Sequence, residues 1–231
     1  MPMEFQRYAI YYTPPAGSEL ATRGAQWLGW DVDAGCAADQ PTIGGLPRPL
    51  AEITETPRKY GMHGTLKPPF RLAHGQSYDT FLTAATDIAA AMAPVNLGML
   101  RVRALGPFLA LIPEVQTPAL ETVAARVVTA LDMFRAPLNA AEMARRRATP
   151  LTPQQDMLLR QWGYPYVLDE FRFHVTCTGK LSDAEVVPIR AAVQDWMAPA
   201  TGTPQMMTDL SVFGEDTDGA FHLITRLPLG R

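Results

Sequence analysis

The sequence is poor in several features that would each have marked a class of protein. Its 231 residues include only two cysteines, Cys36 and Cys177, far apart and in no metal-type spacing. Both are expected to be reduced, with Cys177 inside a strand. Basic charge is not in excess: the net charge of −3 argues against a broad nucleic-acid-binding face, so long nucleic acid is not an expected partner. No apolar run is long enough to span a bilayer, and the N-terminus lacks the charged-then-apolar pattern of a signal peptide. The expectation is a cytoplasmic protein without a membrane partner. Carboxylate–histidine clusters of the kind that hold catalytic metals are missing, so neither metal nor other cofactor is expected. No low-complexity stretch or charge run marks a linker. What remains is an ordinary globular composition, 47% apolar and 19% charged, in a chain long enough to bury a sizeable core.

Periodicity orders the elements. "RYAIYYT" (7–13) reads as a strand, and Ser18 caps a helix through Trp27 that Gly29 ends. A Gly/Pro-rich connection spans about 31–49. "YGMHGTLKPPF" is a strand that Pro68 and Pro69 are expected to close. A helix over 77–93 and two strands around Gly106-Pro107 follow. Thr117 and Pro118 open a helix whose apolar residues Leu120, Val123, Val127, Leu131 and Phe134 recur at helical spacing. Residues 137–170 show less regularity and are expected to form an insert that covers a cleft. "FRFHVTCTGKL" is a second polar–apolar strand, and Ser182 with Glu185 forms a capping-box pattern at the next helix. Two more strands close the chain, with a turn near Asp216–Gly219.

The order strand, helix, His-strand, helix, strand pair occurs twice if "FLALIPE" opens the second copy. This predicts an α+β fold of two sheet-and-helix lobes, about 1–114 and 115–231, related by a rough two-fold with possible exchange of strands. A central cleft would lie at their junction.

The chemistry-bearing residues sit on the two His-strands. Side chains two apart share a strand face. His63, Thr65 and Lys67 therefore lie on one face of the first, opposite Met62 and Leu66. Arg172, His174, Thr176 and Thr178 lie on one face of the second, opposite Phe173, Val175 and Cys177. Two imidazoles on opposite sides of one phosphorus could act as base and acid, and two hydroxyls could bind its non-bridging oxygens. A bare His-x-Thr is a weak motif, and a lone strand histidine is more often structural. The weight here comes from both tripeptides lying on strands at corresponding places. His74 reads as a loop residue, and His222 has no hydroxyl two residues on.

"HGTL" and "HVTC" resemble the two His-x-Thr/Ser-hydrophobic motifs of the two-histidine phosphoesterase superfamily, the LigT-like enzymes. More specifically, "RYAIYY", "PRKYGMHGTLKPPF", "LTPQQ", "WGYPYV" and "FRFHVTCTGKL" resemble a branch found beside genes for C–P lyase phosphonate utilisation. That resemblance runs from residue 7 to the C-terminus. It implies a bilobal fold, metal-independent chemistry on cyclic phosphodiesters, an acid/base pair of His63 and His174, and phosphate contacts from Thr65 and Thr176. Its phosphonate context implies ribose 1,2-cyclic phosphate 5-phosphate as a candidate substrate. Lys67, Arg172, Tyr60 and Arg58 are candidate substrate contacts, with Tyr12 a weaker one. Tyr164 and Tyr166 are candidates for a cleft cover, and "ARRR" (144–147) for steering an anion. The alternatives are a nucleotide or RNA-end 2′,3′-cyclic phosphodiesterase and a phosphate-binding protein without turnover. The sequence assigns no oligomeric state.

Overall fold

The structure is a computed structural model that describes residues 5–230. Its chain order is β1 (Arg7–Tyr12), α1 (Glu19–Leu28), a short ladder of β2 (Trp30–Asp31) and β3 (Cys36–Ala37), the single turns α2 (Leu50–Ile53) and α3 (Glu55–Arg58), and β4 (Gly64–Phe70). Then come α4 (Tyr78–Ala90), β5 (Val95–Gly98), β6 (Leu100–Leu105), β7 (Phe108–Pro113) and α5 (Pro118–Ala130). The chain continues through α6 (Ala140–Arg147), α7 (Pro153–Trp162), β8 (Val175–Thr176), α8 (Asp183–Thr201), β9 (Gln205–Met207), β10 (Asp209–Glu215) and β11 (Phe221–Pro228).

Local chemistry sets the helix starts. Ser18, Ser77 and Thr117 accept backbone hydrogen bonds at the N-termini of α1, α4 and α5, and Ser182 with Glu185 closes a capping box on α8. Gly29, in the left-handed region, ends α1.

The principal sheet has the order β11-β10-β1-β4-β8-β7-β6, antiparallel at every pairing. The α+β class expected from the pattern is present, and the two His-strands meet at the centre. β1 pairs with β4 as β7 pairs with β8, so the order is mirrored about the β4–β8 junction. Beyond this core, β10 lies against β1 and β6 against β7, while β5 and β9 pair with each other in a separate small sheet.

Alternation gives the sheet two unlike faces. Ile10, Tyr12, Leu66, Leu109, Leu111 and Val175 point to the main core, where α1, α4, α5 and α8 pack. Burial of this single apolar layer is the main force holding the two halves together. Ala9, Tyr11, Phe213 and Phe221 form a smaller cluster on the opposite face.

The structure revises three expectations. Residues 137–170 are not irregular: they hold α6 and α7, each opened by a capping box, Asn139 with Glu142 and Thr152 with Gln155. The second His-strand is a ladder of only two residues: before it Phe173 N–H donates to the Gln116 side chain, and after it Leu109 N–H donates to the Thr178 hydroxyl instead of to β8 backbone. Pro68 and Pro69 do not close β4, which runs on to Phe70 through register shifts against β1. Beyond Gly64 no β8 residue pairs with β4, so the missing proline N–H groups cost no ladder bond on that side.

Candidate active site

The site grows from one backbone pairing. Gly64 lies opposite Val175, so antiparallel geometry sets His63 beside Thr176 and Thr65 beside His174. Each histidine thus neighbours the other motif's threonine. The two imidazoles stand on the diagonal of this square, a spacing of about 7–8 Å between backbone positions. That is wide enough for a tetrahedral phosphorus between them.

Gly64 makes the pairing possible. A Cβ there would stand 2.7 Å from the Cε2 and Cζ atoms of Phe173, whose buried ring fills the space over the glycine. The residue between His63 and Thr65 is therefore small because the residue before His174 is large.

Both histidines are held in the same way. His63 Nδ1 lies 2.9 Å from the Gly61 carbonyl, and His174 Nδ1 lies 2.7 Å from the Arg172 carbonyl. A carbonyl oxygen only accepts, so each Nδ1 carries the hydrogen and donates it. Each Nε2 is left with its lone pair in the neutral ring. Gly61 reaches its position at φ +66°, where a Cβ would meet Val32 Cγ1 at 2.1 Å.

Burial lowers both imidazole pKa values. For His63 desolvation dominates; the Gly61 hydrogen bond opposes it and nearby His174 adds to it, leaving a value of about 4. His174 is lowered by desolvation, opposed by its bond to Arg172. Both shifts favour the neutral ring at pH 7.

Aromatic rings surround the pair. Tyr11 lies 4.3 Å and Tyr60 5.3 Å from His63 between ring centroids, and Tyr60 stacks on Phe221. Phe108 lies 5.9 Å from His174. A cavity of about 450 Å³ opens over Thr65 and His174. Its far wall comes from the segment after α6, through Gln155, Tyr164, Tyr166 and Glu170, with Arg172 beside them. Among the described residues, no cluster of three or more His, Cys, Asp or Glu is placed to hold a metal.

The other candidates divide. Tyr60 reaches the site and Arg172 lines the cavity. Lys67 does not follow the parity expected of it. The register shift sets it opposite Ile10, on the helix side, where its amine donates to Val128 O at 3.0 Å and lies 3.6 Å from Asp132. Its pKa falls to about 8, chiefly from desolvation, with Asp132 opposing. Arg58 is occupied with the carbonyls of Leu28 and Ala51 and the Thr54 hydroxyl. Thr178 is buried and accepts the Leu109 N–H. Tyr12 packs on the helix side against Phe173; its neighbour Tyr11 is the ring that faces His63. His222 pairs with Asp216 at 2.7 Å, and His74 is an exposed loop residue. Tyr11 and Phe108 also touch the histidines, and the sequence pattern does not single them out. Parity along β1 separates Tyr11 from Tyr12, but only the sheet order shows which face meets the histidines.

A family profile described as a protein of unknown function (DUF1045) matches residues 65–222. The chain belongs to this family. The matched span holds Thr65, His174 and Thr176 and begins two residues after His63. Two curated relatives share the name ribose 1,5-bisphosphate phosphokinase PhnN. The one from Janthinobacterium sp. (strain Marseille) is 39% identical over 219 residues, covering 93% of this chain and 48% of the relative. The one from Laribacter hongkongensis (strain HLHK9) is 30% identical over 226 residues, covering 96% and 51%. This family member thus spans about half the length of the curated relatives it matches. Among solved structures, E. coli LigT complexed with 3′-AMP aligns at 14% identity and a TM-score of 0.47, covering 99% of this chain and all of LigT. The phosphate complex of LigT aligns at 13% and 0.46, covering 99% of each chain.

Proposed function

We propose that the protein is a metal-independent phosphoesterase that opens a small cyclic phosphodiester, with His63 and His174 as the proton-transfer pair. The observation that carries this reading is the mirrored locking of both imidazoles. Each donates from Nδ1 to a main-chain carbonyl two residues earlier, which leaves each Nε2 for proton transfer. Paired hydroxyls from Thr65 and Thr176 stand beside them, suited to the non-bridging oxygens of a phosphate.

The reaction balances as a hydrolysis. One neutral imidazole takes a proton from water through Nε2 as the water oxygen attacks phosphorus. The other, protonated once the anionic substrate is bound beside it, gives its Nε2 proton to the departing sugar oxygen. One P–O bond forms and one breaks, and a monoester results. Desolvation, which lowers both imidazole pKa values, favours the neutral ring that the base needs; the substrate's negative charge raises the pKa of the acid.

The substrate reading rests on chemistry and on the relatives' name. Cleaving the P–O2 bond of ribose 1,2-cyclic phosphate 5-phosphate leaves ribose 1,5-bisphosphate, the compound on which those longer relatives are named as acting. A half that releases this product would suit a half that consumes it. One observation favours a second reading, a nucleoside 2′,3′-cyclic phosphate: the tyrosines at 164 and 166 offer ring faces for a base.

Phosphorus NMR of EDTA-treated protein with both substrate types tests the proposal. Conversion of a cyclic phosphate to a monoester, reduced by about 10²-fold or more in His63→Ala and His174→Ala, is expected. Full activity in both variants, or conversion only with added metal, would overturn it.

A further inference from the structure

The cavity holds a charge arrangement that proton transfer does not use. Arg172 is the cationic side chain in its lining, and its Nη1 donates to the carbonyls of Phe171 at 2.8 Å and Asp169 at 3.2 Å. Those bonds hold the guanidinium in place but leave its charge intact, since neither partner is a carboxylate. Its remaining N–H groups have no partner among the described residues.

A second unneutralised arginine stands behind the same wall. The last turn of α6 carries Arg145, Arg146 and Arg147. Arg147 pairs with Asp156 of α7 at 2.7 Å, tying the two helices together. Arg146 instead lies over the Tyr164 ring, 4.7 Å from its centroid, with no carboxylate in ion-pairing distance among the described residues. Tyr164 itself lines the cavity. One carboxylate opposes these cations: Glu170, also in the lining, where it accepts the Gln155 amide at 2.9 Å. Two guanidinium groups against one carboxylate leave the wall positive, in a protein whose net charge is negative.

We propose that this wall is a second anion subsite, in which Arg172, backed by Arg146 on Tyr164, binds a phosphate monoester carried by the substrate away from its cyclic phosphate. The inference rests on the functional reading above and sharpens it to a class: doubly phosphorylated small molecules over singly phosphorylated ones. Fixed guanidinium donors suit a phosphate dianion, and the half-buried Arg146 over the Tyr164 ring adds to the attraction at the exposed Arg172. The fold places the subsite close to the chemistry, because the Arg172 carbonyl is also the acceptor that holds His174. Binding a remote phosphate here would fix the cyclic phosphate between the two imidazoles.

The test compares ribose 1,2-cyclic phosphate 5-phosphate with ribose 1,2-cyclic phosphate in the wild type, Arg172→Gln and Arg146→Gln, each checked for an unchanged melting curve. The wild type is expected to favour the 5-phosphorylated compound in kcat/KM, and Arg172→Gln to cut that preference by roughly 10- to 100-fold, with a smaller cut in Arg146→Gln. No wild-type preference, or an unaltered preference in both variants, overturns the subsite. Calorimetry with ribose 5-phosphate provides a readout without turnover. If neither cyclic compound is hydrolysed, the catalytic reading falls, yet a tenfold or greater weakening of ribose 5-phosphate binding in Arg172→Gln still supports the subsite. Binding that is absent or indifferent to both arginines overturns it.

Discussion

The neutral, desolvated state of His63 makes a prediction that can be worked from the structure. In an unfolded chain the imidazole takes a proton near 6.5; in the fold, burial lowers that value to about 4. The unfolded state therefore binds more protons between these limits, and protonation pulls the equilibrium toward it. The stability from keeping His63 neutral is complete above about pH 6.5 and is lost as pH falls toward 4. At about 1.4 kcal/mol per pH unit the loss reaches roughly 3 kcal/mol, an upper figure for a half-buried ring. For a chain of this size that corresponds to about 6–12 °C in Tm.

The assay is thermal unfolding of the wild type and His63→Gln from pH 7.5 to 4. Other acid-sensitive groups, such as Glu185, held at about 2 chiefly by the Ser182 backbone N–H, are common to both and cancel in the difference. The wild type should lose the extra stability through that window while the variant does not. Nitrogen NMR of the same ring should show a protonated Nδ1 and a bare Nε2 at neutral pH. Parallel losses in the two proteins, or a ring that titrates near 6.5, would refute the claim that His63 is desolvated and ready as a base.

Other substitutions probe the supports of the site. Gly64→Ala should cost about 1–3 kcal/mol and depress turnover, because the new methyl displaces Phe173 and parts β4 from β8; unchanged denaturant midpoint and kcat would contradict this. Gly61→Ala should be destabilising by about 1–3 kcal/mol from its left-handed backbone and the contact with Val32, and should move the acid limb of the pH–rate profile as the carbonyl behind His63 shifts. Lys67→Ala should lower stability, since it leaves Asp132 without that partner and a space under α5, while the ratio of activities on different cyclic phosphates stays as in the wild type; a changed ratio would return Lys67 to the substrate site.

Much of the site was legible in the chain because strand parity is a local property. His63 and Thr65, like His174 and Thr176, share a face whatever lies beside them. Ser18, Thr117 and Ser182 marked real helix starts because capping needs only the next three residues. The capping boxes at Asn139 and Thr152 are equally local, but the weak periodicity of 137–170 masks the helices they open.

What the tertiary structure alone decided was adjacency. Which strand lies next to β4 follows from the helix layer that both halves bury together, and that pairing converts two weak tripeptides into one square of four side chains. The register shift that turns Lys67 under α5, the choice of Tyr11 over Tyr12, and the two arginines brought to one wall depend on contacts between distant segments. Residue type and strand alternation limit the chemistry to a few side chains. Packing decided which of them meet, because strand register and face are set by what is buried on the other side of the sheet.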